Sequence, residues 1–174
     1  MTLLRDVLIG LLTALAIGAV LLWADVGRAQ DDATVLVLAQ AMVAEASWHE
    51  PDHRAVAHAL HKRASVRGIT LQQHALEYVA AFKVNTPRTR WVRSLRLDAR
   101  KPDGWPLTVS WSAHVDRWLA VLDLARRFIA DPASVPNPCP GASDWGGTMD
   151  VIRGRMVPVR CVEITRNTMV RVRR

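Results

Sequence analysis

Cysteine is scarce in this chain: Cys139 and Cys161 are the only two in 174 residues. Their spacing is far too wide for a Cys-x-x-Cys pair, so no cysteine-based metal motif is available. In an exported protein such a lone pair is expected to form a disulfide, whereas in the cytosol the two would remain reduced, buried thiols. Acidic residues are also in deficit, 16 against 23 Lys and Arg, for a formal charge of +7. Internal repeats and low-complexity tracts are missing, which sets aside solenoid and array architectures.

The length suits one export segment followed by one compact domain with a real core. From Val7 to Ala24 the residues are apolar, interrupted only by Gly and Thr, with Arg5 before the run and Asp25 and Gly27-Arg28-Ala29 after it. That is the layout of a signal peptide with small residues at the cleavage offsets, and a run of roughly 18 residues is also long enough to stay in the bilayer. A core helix is the poorer reading, because core helices seldom lie at an extreme N-terminus without a polar face. Residues 1–29 are therefore expected to be a signal peptide or membrane anchor, and 30–174 an exported domain of the periplasm or cell envelope, held at the inner membrane if uncleaved. The charges of residues 1–29 cancel, so the domain keeps the whole positive balance. A basic exported domain favours an anionic wall polymer or lipid over nucleic acid.

Val35, Leu38, Ala39, Met42, Val43 and Ala46 recur at helical spacing behind Asp31-Asp32, which predicts an amphipathic helix. Pro51 predicts a break, with a second helix opening at Asp52 or His53, carrying Val56, Ala59 and Leu60 and ending at Gly68. Thr70 caps a third helix over Leu71, Ala75, Leu76 and Val79. From Asn85 to Pro106 the pattern gives way to proline, glycine and arginine and reads as a long loop with at most one short turn around Trp91 to Leu97. Ser110 then caps a helix bearing Val115, Trp118, Leu119, Leu122, Ala125 and Ile129, which Asp131-Pro132 stop. Residues 136–147 read as loop. Val157, Val159 and Cys161, a turn at 165–168, then Val170 and Val172 predict a β-hairpin. The fold class is α+β: mostly helical with a small C-terminal hairpin.

Glu45 stands seven residues after Leu38, so it projects near the apolar stripe. A carboxyl among apolar groups has its charged form disfavoured and can donate a proton to a leaving oxygen. On spacing alone it is otherwise an ordinary helix-end glutamate. His49-Glu50-Pro51-Asp52-His53 matches the zinc-protease spacing, but Pro51 sits between the histidines where one continuous helix is needed. His58 and His61, three apart, read as helix surface. Among the tryptophans, Trp118 reads as core, and Trp48 and Trp145 as ligand candidates because sugars bind aromatic faces.

Ala44-Glu45-Ala46, Glu50-Pro51, Ala55-Val56-Ala57 and Arg63 together resemble the catalytic segment of cell-wall hydrolases of the spore-cortex-lytic type. Ala142-Ser143-Asp144-Trp145-Gly146-Gly147 is similar to a later motif of the same family and its phage members, with Asp144 where a histidine is common; Lys62 stands where the family has Asn. The resemblance implies a lysozyme-like fold and lytic transglycosylase activity on the bond between N-acetylmuramic acid and N-acetylglucosamine, with Glu45 as the single acid and base and no cofactor. It implies peptidoglycan glycan strands as partner, bound by Trp48, Tyr78, Asn85, Trp145, Gly146 and Gly147. A two-carboxylate hydrolase would instead draw its second acid from Glu50, Asp52, Glu77 or Asp98. The other reading is a catalytically inactive wall-binding or assembly protein, favoured by Asp144.

Overall fold

The computed structural model describes residues 28–146, 156–161 and 168–172. Most of the expected export segment, Gly147 and the expected hairpin turn at 165–167 lie outside them. The chain divides into two units, 1–33 and 34–174. Of the first unit, residues 28–33 are described and helical. Among the described residues no helix is long and apolar enough to cross a membrane.

Residues 34–46 form the first helix of the second unit, α1. Its predicted stripe is the core: Val35, Leu38, Ala39, Met42, Val43 and Ala46 are each no more than 4% exposed. Ala39, Gln40, Ala41, Met42 and Val43 are buried in succession, more than one full turn, so α1 is enclosed on every side. Gln40 survives there because its amide nitrogen donates to the carbonyls of Arg93 and Leu95, each at 3.2 Å.

The second helix, α2 (Glu50–Arg67), begins earlier than expected, with Pro51 inside its first turn and Gly68 as a left-handed cap at φ 66°. Proline is favourable there, since a first-turn N–H has no intrahelical partner. Thr70 caps α3 (Leu71–Tyr78) as expected, exchanging bonds with Gln73 in a capping box. The loop expected from Asn85 onward is corrected in its first part. After α4 (Ala80–Lys83) comes α5 (Pro87–Arg93), started by a capping box between Thr86 and Thr89 with Pro87 at the first helical position. Only Val92 of α5 is buried, so no periodic stripe announces this helix.

The long helix α6 (Val115–Ala130) starts from His114, not Ser110. Its buried face is Trp118, Val121, Leu122, Leu124, Ala125 and Phe128, while Leu119 is 44% exposed. Three short strands follow, β1 (Asp144–Gly146), β2 (Met156–Pro158) and β3 (Thr168–Val172), in the order β1-β3-β2 with both pairings antiparallel. The expected hairpin is β2 with β3, but Val159 and Cys161 fall past the end of β2; Val159 N–H still donates to Met169 O at 2.8 Å. Strand β1 arises inside the segment expected to be loop, its register pairing Trp145 with Met169. The result is a mostly helical fold with a small sheet whose first strand packs against α2.

Candidate active site

Past the enclosed stretch of α1, residues 38–43, Ala44 and Glu45 are half-buried. The helix stops at Ala46 because Ser47 turns into the left-handed region, φ 55°, its N–H donating to Val43 O at 3.1 Å. A non-glycine residue costs about 1–2 kcal/mol in that conformation, and the surroundings hold it. His53 Nε2 donates to Ser47 O at 2.8 Å, and Arg88 Nη2 donates to Ala44 O at 3.1 Å and Ser47 Oγ at 3.2 Å. Burial lowers the His53 pKa below its ordinary value, which keeps the ring neutral.

Trp145 Nε1–H donates to Glu45 Oε2 at 3.0 Å, a contact between residues 100 apart in sequence. The segment bearing Trp145 is held by the last turns of α2. Lys62 Nζ donates to Ala142 O at 3.2 Å, and Arg63 forms an ion pair with Asp144. Asp144 is fully buried and also accepts from the Tyr78 hydroxyl, 2.9 Å from either carboxylate oxygen, and from the Trp145 backbone N–H at 2.9 Å. Arg63 in turn donates to the Tyr78 oxygen at 3.1 Å with its guanidinium carbon 4.3 Å from the ring centroid. The Tyr78 and Trp145 rings meet nearly edge to face at 5.5 Å. Below them, Arg67 donates to His74 Nδ1 at 3.0 Å, which leaves the proton on Nε2. His74 stacks on Tyr78 at 5.2 Å; its pKa is lowered by burial and by the Arg63 and Arg67 charges.

Asp144 is thus turned inward, away from any ligand. Its carboxylate braces the strand that presents Trp145. Lys62 and Arg63, the departing and the matching residue of the family pattern, clamp the same segment.

Trp48, three residues past Glu45, joins an aromatic group that sequence reasoning left scattered. It lies 6.5 Å from Trp91 and 5.5 Å from His114; Trp105 is 4.9 Å from Trp91, 4.9 Å from Trp111 and 5.2 Å from His114, centroid to centroid. The Trp105 and Trp111 indoles are tied to Val109 O at 2.7 Å and Ala99 O at 3.0 Å, which fixes the group. Spacing gave no sign of it, because these rings come from the turn after α1, from α5 and from the loop before α6.

Tyr78 is a brace for Asp144, not a free cleft hydroxyl. Asn85 sits exposed before α5 and accepts from Arg93 at 3.0 Å; among the described residues no hydrogen bond joins it to Glu45. Gly146 lies in β1 beside Trp145. The four candidate second carboxylates are each engaged elsewhere: Glu50 with Arg54, Asp52 with His49, Glu77 with Arg67 and Asp98 with Arg100. His58 and His61 both pack edge-on against Phe128, at 4.9 and 5.7 Å. Compared with family models, curated proteins and solved structures, the chain matches none.

Proposed function

We propose that this chain is an exported, lysozyme-like peptidoglycan lytic transglycosylase with Glu45 as its single acid and base. The observation that supports it best is the Trp145–Glu45 hydrogen bond at 3.0 Å, which brings the two segments resembling the cell-wall hydrolases together on one carboxyl group. Glu45 donates its proton to the glycosidic oxygen as the C1–O bond breaks. The carboxylate then takes a proton from the muramoyl 6-hydroxyl, which closes on C1 to leave a 1,6-anhydro sugar. No water is consumed, so no second carboxylate has to activate one. The Trp48–Trp91–His114 group next to the helix end offers aromatic faces to the apolar sides of the sugars, and the +7 charge suits an anionic wall. The cysteines lie at disulfide distance with Cα atoms 5.2 Å apart, in keeping with an oxidising compartment.

The second reading is an inactive wall-binding or envelope assembly protein, favoured by the inward turn of Asp144 in place of the family's histidine. Mass spectrometry of material released from purified sacculi by the full chain, beside Glu45→Gln, separates the two. Anhydromuropeptides from the wild type and none from Glu45→Gln are expected. Reducing-end products would mean hydrolysis with a second acid, and sacculus binding without release would give the role to the second reading.

A further inference from the structure

A carboxyl group that works first as acid and then as base must present one defined oxygen to the bond it breaks. Two torsions near its end would otherwise let the Glu45 oxygens exchange places. The Trp145 indole removes that freedom: Nε1–H is a donor with no acceptor capacity, and it donates to Oε2 at 3.0 Å. A carbonyl-type oxygen accepts such a bond better than a hydroxyl oxygen does, so the bond favours the acidic proton on Oε1, which carries no hydrogen bond among the described residues. The indole is itself fixed from behind. Trp145 is buried, its ring lies edge to face with Tyr78 at 5.5 Å, and its backbone N–H donates to the buried Asp144 that Arg63 and Tyr78 hold.

We infer that Trp145 is a positioning residue that selects Oε1 of Glu45 as the proton-carrying oxygen, and that the buried Arg63–Asp144–Tyr78 group sets the indole in place. The inference rests on the function proposed above and assigns Trp145 to the carboxyl group where the sequence resemblance had placed it on the glycan.

Trp145→Phe in the full chain keeps an aromatic ring and deletes the donor. On sacculi its kcat is expected to fall about ten- to hundredfold, the range for a hydrogen bond to a charged group, with KM within about twofold. A fall in kcat without a matching rise in KM is the split that a general loss of the fold or of glycan binding would not give. Wild-type kcat in Trp145→Phe would overturn the inference. A readout independent of turnover covers a variant that fails to fold: in indole-15N-labelled protein the Trp145 N–H resonance should titrate with pH in the wild type and stay fixed in Glu45→Gln. A resonance that moves in neither overturns the inference whether or not the protein is active. A titrating indole in a wild type that releases nothing from sacculi would overturn the transglycosylase reading, and the positioning role with it, while leaving the bond itself in place.

Discussion

Replacing Asp144 by Asn tests whether the inward carboxylate is a structural keystone. Asp144 is fully buried and meets Arg63, whose side chain is 29% exposed, together with two neutral donors, the Tyr78 hydroxyl and the Trp145 N–H. Asn keeps the shape and one acceptor oxygen. It removes the charge opposite Arg63, and its amide group meets donors with another donor. Taking one partner from a buried pair costs about 3–5 kcal/mol; the retained acceptor and the partial exposure of Arg63 place Asp144→Asn near the low end, about 3 kcal/mol. With a urea slope of about 2 kcal/mol per molar, the unfolding midpoint falls by about 1.5 M, a large part of a domain stability of roughly 5–15 kcal/mol. Arg63→Met, which strands the carboxylate, should cost at least as much. The double variant should lose about 2 kcal/mol less than the two singles combined, because neither charge is then left alone. A midpoint shift under about 0.3 M for Asp144→Asn, with unchanged slope, would refute this account.

Two further outcomes concern the scaffold. Cys139 and Cys161 are 22 residues apart; closing that loop stabilises by about 3 kcal/mol in the chain-entropy model, so a reductant should lower the wild-type Tm and leave Cys139→Ser/Cys161→Ser unmoved, and a wild-type Tm indifferent to reductant would mean that no bond forms. His53, His58 and His74 all have pKa values lowered from 6.5, burial being the first cause in each. Below pH 6.5 the unfolded chain binds protons that the folded one refuses, so their contribution is complete above about 6.5 and is lost as pH falls toward the lowered values; a thermal scan from pH 7.5 to 5 should show Tm declining, and a rise on acidification would contradict the sign.

The parts of the fold that were legible in the sequence are those with long periodic patterns and local caps. The stripe of α1, the capping box at Thr70 and the buried Trp118 follow from spacing that a helix makes unavoidable. The misses have a common cause. Helices α4 and α5 span 4 and 7 residues, too short to show a period, and α5 depends on Thr86 and Thr89 capping each other. Strand β1 exists because residues near 169 pair with it, which no local composition signals. Leu119 fits the apolar spacing of α6, but the buried face runs from Trp118 and Leu122 to the other side, through Val121, Leu124 and Phe128, and leaves Leu119 at its edge, 44% exposed. At the site, the α1 stripe set Glu45 near the apolar face, and the resemblance to the cell-wall hydrolases singled it out. That Trp145 would reach it, and that Asp144 would turn inward, depends on a pairing over 100 residues that only the folded chain brings about.

The enclosure of α1 bears on how this protein can change over evolutionary time. Gln40, fastened to the carbonyls of Arg93 and Leu95, acts as a register mark inside the enclosed stretch, residues 38–43. A substitution beyond the mark alters what surrounds Glu45, but a single residue inserted or deleted between Gln40 and Glu45 turns the carboxyl by about 100° and moves it by about 1.5 Å along the axis. It would then face packed apolar side chains where it had faced Trp145. The five-step interval from Gln40 to Glu45 therefore admits no change of length in descendants of this chain, and the turn at Ser47, fastened by His53 and Arg88, is bound in the same way.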